Sequence, residues 1–145
     1  MALNKPFETY ERPGLVVAYK LNNVKVFKGA LVGVNAAGMA VPMSQATAGL
    51  KLVGIANETV DNTGGAAGAK SVNATKAGAF VFKAAAGFAP VQADVGKEVY
   101  CTTDWEVQIS TVGLTNQYKV GTIVAVEAAS TGQAGVRVRI DNYNV

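Results

Sequence analysis

Short runs of alternating apolar and polar residues, separated by turns rich in glycine and asparagine, extend along most of this chain. The clearest run lies near the end of the sequence, where Val136, Val138 and Ile140 alternate with Arg137 and Arg139. A period of two places one set of side chains in a core and the other set in solvent or against a partner. With turn residues as boundaries, the pattern predicts strands over residues 15–20, 24–27, 30–34, 39–42, 52–59, 71–76, 79–83, 98–102, 105–110, 120–126 and 136–140.

The pattern predicts an all-β protein with one compact barrel-like or sandwich-like domain over residues 15–145. Helix signals are weak because glycine interrupts the alanine-rich stretches, and one short helix or turn is expected between Pro42 and Leu50. Residues 1–14 show neither helical nor strand periodicity. We therefore predict that they form an extended N-terminal arm.

The chain also matches itself when it is shifted by 67 positions, the offset that brings Gly29 onto Gly96 (96 − 29 = 67). A constant offset combined with the same succession of strands and turns indicates a duplicated β unit. The predicted halves are residues 15–81 and 82–145. Further matches at this offset are Val32 with Val99, Val53 with Val120, Gly54 with Gly121, Gly65 with Gly132, Ala67 with Ala134 and Gly68 with Gly135.

Composition narrows the classes of partner. Half of the residues are apolar, which allows a 145-residue chain to bury a core. The net charge of +3 is not gathered into a block, so there is no electrostatic signature for a nucleic-acid or membrane partner. No run approaches the roughly 20 apolar residues that cross a bilayer. Because the chain has one cysteine and no signal-peptide layout at its start, we expect it to be made and kept in a cytoplasm.

The residue types available for chemistry are few. With no histidine, the chain cannot form Ser-His-Asp, Cys-His or histidine-based metal sites. The acids Asp94, Glu98, Asp104 and Glu106 crowd one segment and would suit an acid–base pair or an oxygen-lined cation site. Because three of them flank a predicted hairpin, we interpret them as solvent-facing strand residues. We therefore expect no catalytic residue, cofactor or metal, and a protein that is not an enzyme.

Two other features have structural interpretations. The segment from Gly64 to Ser71 resembles a phosphate-binding loop, but it lacks the required Gly-Lys-Ser spacing and is followed by a predicted strand, so we interpret it as a hairpin loop. Cys101 lies in an apolar strand without a basic sequence neighbour, which predicts a buried structural thiol and not a nucleophile.

The candidate contact residues fall into two groups. Phe7 and Tyr10 would be exposed if the arm extended from the domain, and charged residues lie beside them, so the arm predicts a segment that binds a neighbour. The alternative, an arm folded back on its own domain, stays open. The arm candidates are Lys5, Pro6, Phe7, Tyr10 and Arg12, and the candidates within the domain are Trp105, Arg137 and Arg139.

The order of these parts resembles the family of tailed-bacteriophage head decoration, or capsid cement, proteins. After the arm, the segments that carry the resemblance are VKVFKGALVGV (24–34), LVGIA (52–56), GAFVF (78–82), VGKEVY (95–100), KVGTIV (119–124) and VRVRI (136–140). The resemblance implies a β-tulip-like fold and a homotrimer. It also implies binding of the major capsid protein on the outer surface of the virion head, at three-fold and pseudo-three-fold points between capsomers, with assembly in the bacterial host cytoplasm.

Two other functions compete with this expectation. Another virion β module, such as a tail-tube or fibre component, would have a similar composition. A small carbohydrate-binding β-sandwich would need a cluster of exposed aromatic residues, for which the sequence offers Trp105 alone.

Overall fold

The structure, a computed structural model, describes residues 14–141. Within this range the chain is all-β, as the alternation of apolar and polar residues predicts, and a single 3₁₀ turn at Gln92–Asp94 accompanies the strands. The strands are β1 (Val16–Lys20), β2 (Lys25–Val26), β3 (Leu31–Val34), β4 (Ala40–Pro42), β5 (Lys51–Ala56), β6 (Val60–Asp61), β7 (Ser71–Thr75), β8 (Ala77–Ala84), β9 (Glu98–Cys101), β10 (Glu106–Gln108), β11 (Lys119–Val126) and β12 (Gly135–Asp141).

The first structural unit contains β1 to β7. Five of its strands form a sheet in the order β1-β7-β5-β3-β4, in which every pair is antiparallel, while β2 and β6 form a separate ribbon. The two ends of the sheet meet at one parallel bridge between Leu21 and Ala40. The first unit is therefore a sheet curled almost into a barrel.

The second unit contains β8 to β12 and closes fully. Its strands form a barrel in the order β10-β8-β12-β11-β9. The closing pair is β8 with β10, which run parallel, whereas the other neighbours are antiparallel. The closing pair joins β10 to the end of β8 only, at Lys83 and Ala84.

The two units repeat one pairing scheme. The strand order is the same in both: β1-β7-β5-β3-β4 in the first unit corresponds to β8-β12-β11-β9-β10 in the second. A β-bulge interrupts the equivalent pair in each unit, β3 with β5 and β9 with β11. Individual residue pairs of the first unit also have counterparts in the second. The pair Val34–Ala40 corresponds to Cys101–Val107, and Val32–Gly54 corresponds to Val99–Gly121. The closing bridge Leu21–Ala40 corresponds to Ala84–Val107.

Several boundaries differ from the prediction. The predicted division between residues 81 and 82 lies inside β8, so the repeated pairing starts the second unit at Ala77 instead. The strand predicted over residues 52–59 ends at Ala56, because a bend separates β5 from β6. The segment between Pro42 and Leu50, predicted as a short helix or turn, consists of turns.

Two apolar clusters form the interior. The smaller one fills the first unit between its own strands. The larger one combines the interior of the second barrel with side chains from the outer face of the first sheet, so the two units share a core. The first cluster contains Leu21, Val26, Ala30, Val32, Ala40, Val53, Ala56 and Val72, and the first unit contributes Leu31, Met43, Leu50, Leu52 and Ile55 to the second.

Hydrogen bonds reinforce this packing between the units. The Leu31 amide donates to the carbonyl oxygen of Asp104 over 2.6 Å. The Tyr118 hydroxyl donates to the Thr47 carbonyl oxygen over 2.7 Å and accepts from the Leu50 amide over 3.1 Å. The hairpin between β9 and β10 is thereby held against the first unit, which positions the site described next.

Candidate functional site

An open groove of about 540 Å³ lies where the two units meet. We call it the Trp105 groove, and its main lining residues are Phe27, Ala30, Val81, Phe82, Asp104 and Trp105. Phe27, Val81 and Trp105 are 57%, 41% and 44% exposed. They come from the loop after β2, from β8 and from the β9–β10 hairpin. Single exposed apolar residues are ordinary, but three that converge on one groove make it a candidate interaction surface.

The Trp105 side chain is held in position by its neighbours. The Trp105 carbonyl oxygen accepts a hydrogen bond from the Lys83 amide over 3.2 Å. The Lys83 ammonium lies 5.0 Å from the centroid of the indole ring and also forms an ion pair with Glu106. A cation at this distance from an aromatic face is attracted to it. An indole that is fixed before binding loses little conformational freedom when a partner covers it.

Phe27 forms the opposite side of the groove and is similarly fixed. A tight turn follows it, in which the Ala30 amide donates to the Phe27 carbonyl oxygen over 3.1 Å, and Gly29 supplies the positive φ of +87° that the turn requires. The Lys25 ammonium lies 4.8 Å from the centre of the phenyl ring. Both exposed aromatic side chains of the groove are therefore accompanied by a lysine.

Asp104 gives the groove a negative charge. Burial raises the pKa of the Asp104 carboxyl above its usual range, and the nearby Glu106 charge raises it further. Among residues 14–141, Asp104 has no ion-pair partner, whereas Glu106 is paired with Lys83. A cation supplied by a bound partner would compensate this half-buried carboxylate.

Of the predicted contact residues in the domain, Trp105 lies in the groove and Arg137 lies beside it. Arg137 pairs across strands with Val81, and its guanidinium donates two hydrogen bonds, of 2.7 Å and 2.8 Å, to the Glu127 carboxylate. That ion pair lowers the pKa of Glu127 and raises the pKa of Arg137. Because its donors face Glu127, Arg137 serves mainly as a structural partner.

Arg139 belongs to a different cleft. Two residues further along β12, it lines an opening with Lys51, Lys119 and Asp141. Lys119 is already paired with Glu98 over 2.6 Å. The structure therefore separates Arg139 from the Trp105 groove. The arm candidates Lys5, Pro6, Phe7, Tyr10 and Arg12 lie outside the described residues.

The four acids that crowd one segment of sequence do not form one cluster, and among them the Glu106 charge acts on Asp104. Asp94 pairs with Lys97, Glu98 with Lys119 and Glu106 with Lys83. Of the three that flank the predicted hairpin, Glu98 faces solvent as predicted, whereas Asp104 and Glu106 are half-buried. Asp94, outside the hairpin, is buried. Within residues 14–141, no three acidic or cysteine side chains gather into a group that would hold a metal ion.

The remaining sequence candidates have structural roles. Cys101 is fully buried, as predicted, and burial raises the pKa of its thiol to about 11, which keeps it protonated. The glycine-rich segment that starts at Gly64 connects β6 to β7, which excludes the helix that follows a phosphate-binding loop. The buried Asn62 side chain donates to the Ala66 carbonyl oxygen over 2.9 Å and organises this loop.

Sequence reasoning found Trp105 but missed Phe27 and Val81, and it interpreted Asp104 as a solvent-facing strand residue. Phe27 and Val81 sit in ordinary strand-like runs, and no local pattern distinguishes an exposed apolar residue from a buried one there. Their exposure follows from how the two units pack.

The role of Lys83 can be tested directly. Replacing Lys83 with methionine is expected to lower the free energy of unfolding by about 1 to 3 kcal/mol, because the half-buried Glu106 loses its charged partner. Loss of the ammonium should also lower the fluorescence anisotropy of Trp105, the only tryptophan. Lys20→Met is the matched control, since Lys20 is the exposed counterpart of Lys83 in the first unit. An unchanged anisotropy in Lys83→Met would show that Lys83 does not fix the indole.

No protein-family model, curated protein or solved structure matches this chain. In the part of the chain that the structure describes, no helix has the length and apolar character needed to span a membrane.

Proposed function

We propose that this protein is a structural virion component that decorates and stabilises the head of a tailed bacteriophage. In this proposal it acts without catalysis, binds the major capsid protein on the outer surface of the head, and occupies three-fold and pseudo-three-fold sites between capsomers. It assembles as a homotrimer in the bacterial host cytoplasm, with no nucleic-acid or membrane partner.

The observation that supports the proposal most is the Trp105 groove. A fixed, exposed tryptophan beside a second aromatic side chain is the kind of surface on which protein–protein binding energy concentrates. The resemblance to decoration proteins supplies the identity of the partner. A cement protein needs such a contact surface on a framework that resists distortion, and two β units with a shared core are a framework of that kind.

Three linked copies would make modest contacts sufficient. Once one subunit of a trimer has bound, the second and third contacts are intramolecular and form at a high effective concentration. Residues 1–13 would add backbone hydrogen bonds to the shell, which depend little on the side chains of the capsid protein. Clamping neighbouring capsomers in this way opposes the outward pressure of packaged DNA.

The test is binding to expanded empty heads of the phage that encodes the chain. Deleting residues 1–13 is expected to weaken binding by about tenfold or more, because each subunit of the trimer loses one contact. Co-sedimentation measures the affinity, and electron microscopy locates the bound density. Unfolding curves of the truncated protein check that its β domain is intact.

Two results would contradict the proposal. If the full chain does not sediment with heads, decoration is wrong. If the truncated protein binds as tightly as the full chain, the role of the arm is wrong, while decoration through the Trp105 groove would survive.

A carbohydrate-binding function is the second candidate, because the structure adds Phe27 to the single exposed aromatic residue that the sequence offered. Trp105 and Phe27 share the groove with the Asp104 carboxylate and the hydroxyl-bearing Ser130 and Thr131. Sugar rings stack on aromatic faces while carboxylates and hydroxyls bind their OH groups. Glycan binding by the protein in the absence of heads would favour this function.

A further inference from the structure

The Trp105 groove has an apolar floor, two fixed aromatic side chains and a carboxylate without an ion-pair partner among the described residues. Its occupant should therefore offer an apolar side chain next to a cation. We propose that residues 1–13 of the same chain occupy the groove, with Phe7 as the apolar anchor and Lys5 facing Asp104. This inference does not rest on the proposed function. If the protein also decorates a shell through this segment, the segment would occupy the groove in the free protein and leave it on binding to the shell.

The length of the segment fits the distance it has to cover. The Leu15 carbonyl oxygen accepts a hydrogen bond from the Lys76 amide over 2.8 Å, which fixes the start of the domain next to the start of β8. Val81 lies five residues beyond Lys76, at most about 17 Å along an extended strand. Phe7 precedes Gly14 by seven residues and can reach about 23 Å when extended. Counted from Leu15, which is bonded to Lys76, Tyr10 is five residues away and its extended reach of about 17 Å just equals the distance to Val81, whereas Phe7 reaches beyond it.

The order of residues in the segment matches the groove. In extended backbone, alternate side chains lie on the same side, so in the proposed position Lys5 and Phe7 would face the domain together while Pro6 and Glu8 would face away. Phe7 in the groove would cover the apolar surface of Val81 and Trp105. Lys5 would then lie on the side of Asp104 and pair with its carboxylate.

Because the segment belongs to the same chain, even a weak contact is sufficient to keep it in the groove. A short covalent link gives the segment an effective concentration of about 1 mM at the groove, well above that of a separate partner in dilute solution. The groove is therefore expected to be filled in the isolated protein.

Trp105 reports on the groove, because it is the only tryptophan in the chain. Phe7→Ala in the full chain is expected to raise the acrylamide quenching constant of Trp105 by about twofold and to shift its emission to the red, because the indole becomes accessible to water. Glu8→Ala is the matched control, since the Glu8 side chain would face away in the proposed position, and it should leave both signals at wild-type values. Lys5→Ala is expected to raise the quenching constant by less than Phe7→Ala does.

Wild-type quenching in Phe7→Ala would overturn the proposal. If quenching in the wild-type protein rises on dilution, the groove holds the segment of a second copy, which overturns assignment to the same chain. These measurements use no phage heads, so their outcome is independent of whether the protein decorates a shell. Unfolding curves of Phe7→Ala confirm that any fluorescence change arises in the groove and not from loss of the fold.

Discussion

Replacing Gly121 with alanine is expected to lower the free energy of unfolding by about 3 to 5 kcal/mol, near the upper end for a single substitution. A Cβ atom at this position would lie 2.0 Å from the carbonyl oxygen of Arg139 and 2.9 Å from its carbonyl carbon. Both are backbone atoms of β12, which is paired with β11 on one side and β8 on the other. β12 therefore cannot move away without breaking a ladder of hydrogen bonds in a closed barrel.

Urea unfolding followed by far-ultraviolet circular dichroism measures this cost. Gly14→Ala is the control, because no atom lies within 4 Å of a Cβ built there, and it is expected to change the stability by less than about 0.5 kcal/mol. A Gly121→Ala protein within about 1 kcal/mol of wild type would show that the strands do not approach as closely as described.

The same constraint explains part of the internal sequence match. Gly54 is the counterpart of Gly121 in the first unit, and a Cβ there would lie 2.3 Å from the Thr75 carbonyl oxygen, with a φ of +153°. In both units the glycine follows the bulged residue, Val53 in β5 or Val120 in β11. At this point β5 lies close to the backbone of β7, and β11 lies close to the backbone of β12. The repeated Val-Gly pair is therefore retained for a steric reason and is not a coincidence of composition.

The sequence predicted local structure well, because strand alternation is a local property. Val136, Val138 and Ile140 are buried, whereas Arg137 and Arg139 are exposed, as their spacing requires. Strand order and barrel closure depend on pairings between distant residues, which a single sequence does not reveal. The shift by 67 positions aligns β3, β4 and β5 with their counterparts, but β7 and β1 align at shorter offsets because the loops differ in length.

The candidate site was only partly predictable for a related reason. Trp105 is conspicuous as the single tryptophan of the chain. Phe27 and Val81 reach the same groove only because the hairpin that carries Trp105 packs against the first unit. Duplication explains why such a groove exists, since two similar units that share a core leave a seam between them.

Leu31→Ala is expected to cost about 2 to 5 kcal/mol of unfolding free energy, the range for removing a buried leucine side chain. Leu31 is fully buried although it lies on the outer face of the first sheet, because it packs into the cluster shared with the second unit. Truncation would leave a cavity between the two units that rigid β strands cannot fill. Urea unfolding measures the loss.

The duplication supplies a matched control for this experiment. Glu98 is the counterpart of Leu31 in the second unit, where the equivalent outer face is not covered and the Glu98 side chain is 51% exposed. Glu98→Ala removes an exposed ion pair with Lys119 and a hydrogen bond from the Tyr100 hydroxyl, both at the surface, and is expected to change the stability by less than about 1 kcal/mol. Equal costs at the two positions would contradict the shared core.

The contrast between Leu31 and Glu98 also shows how the units are joined. If the two units packed through equivalent faces, both positions would be apolar and buried. The two positions differ because the first unit packs through the outer face of its sheet, whereas the second unit packs through its barrel interior and the hairpin that carries Trp105. Leu31→Ala keeps the amide that binds the Asp104 carbonyl oxygen, so movement of β3 toward the cavity should also loosen the Trp105 groove, and hydrogen exchange at the Lys83 amide should rise together with exchange in β3.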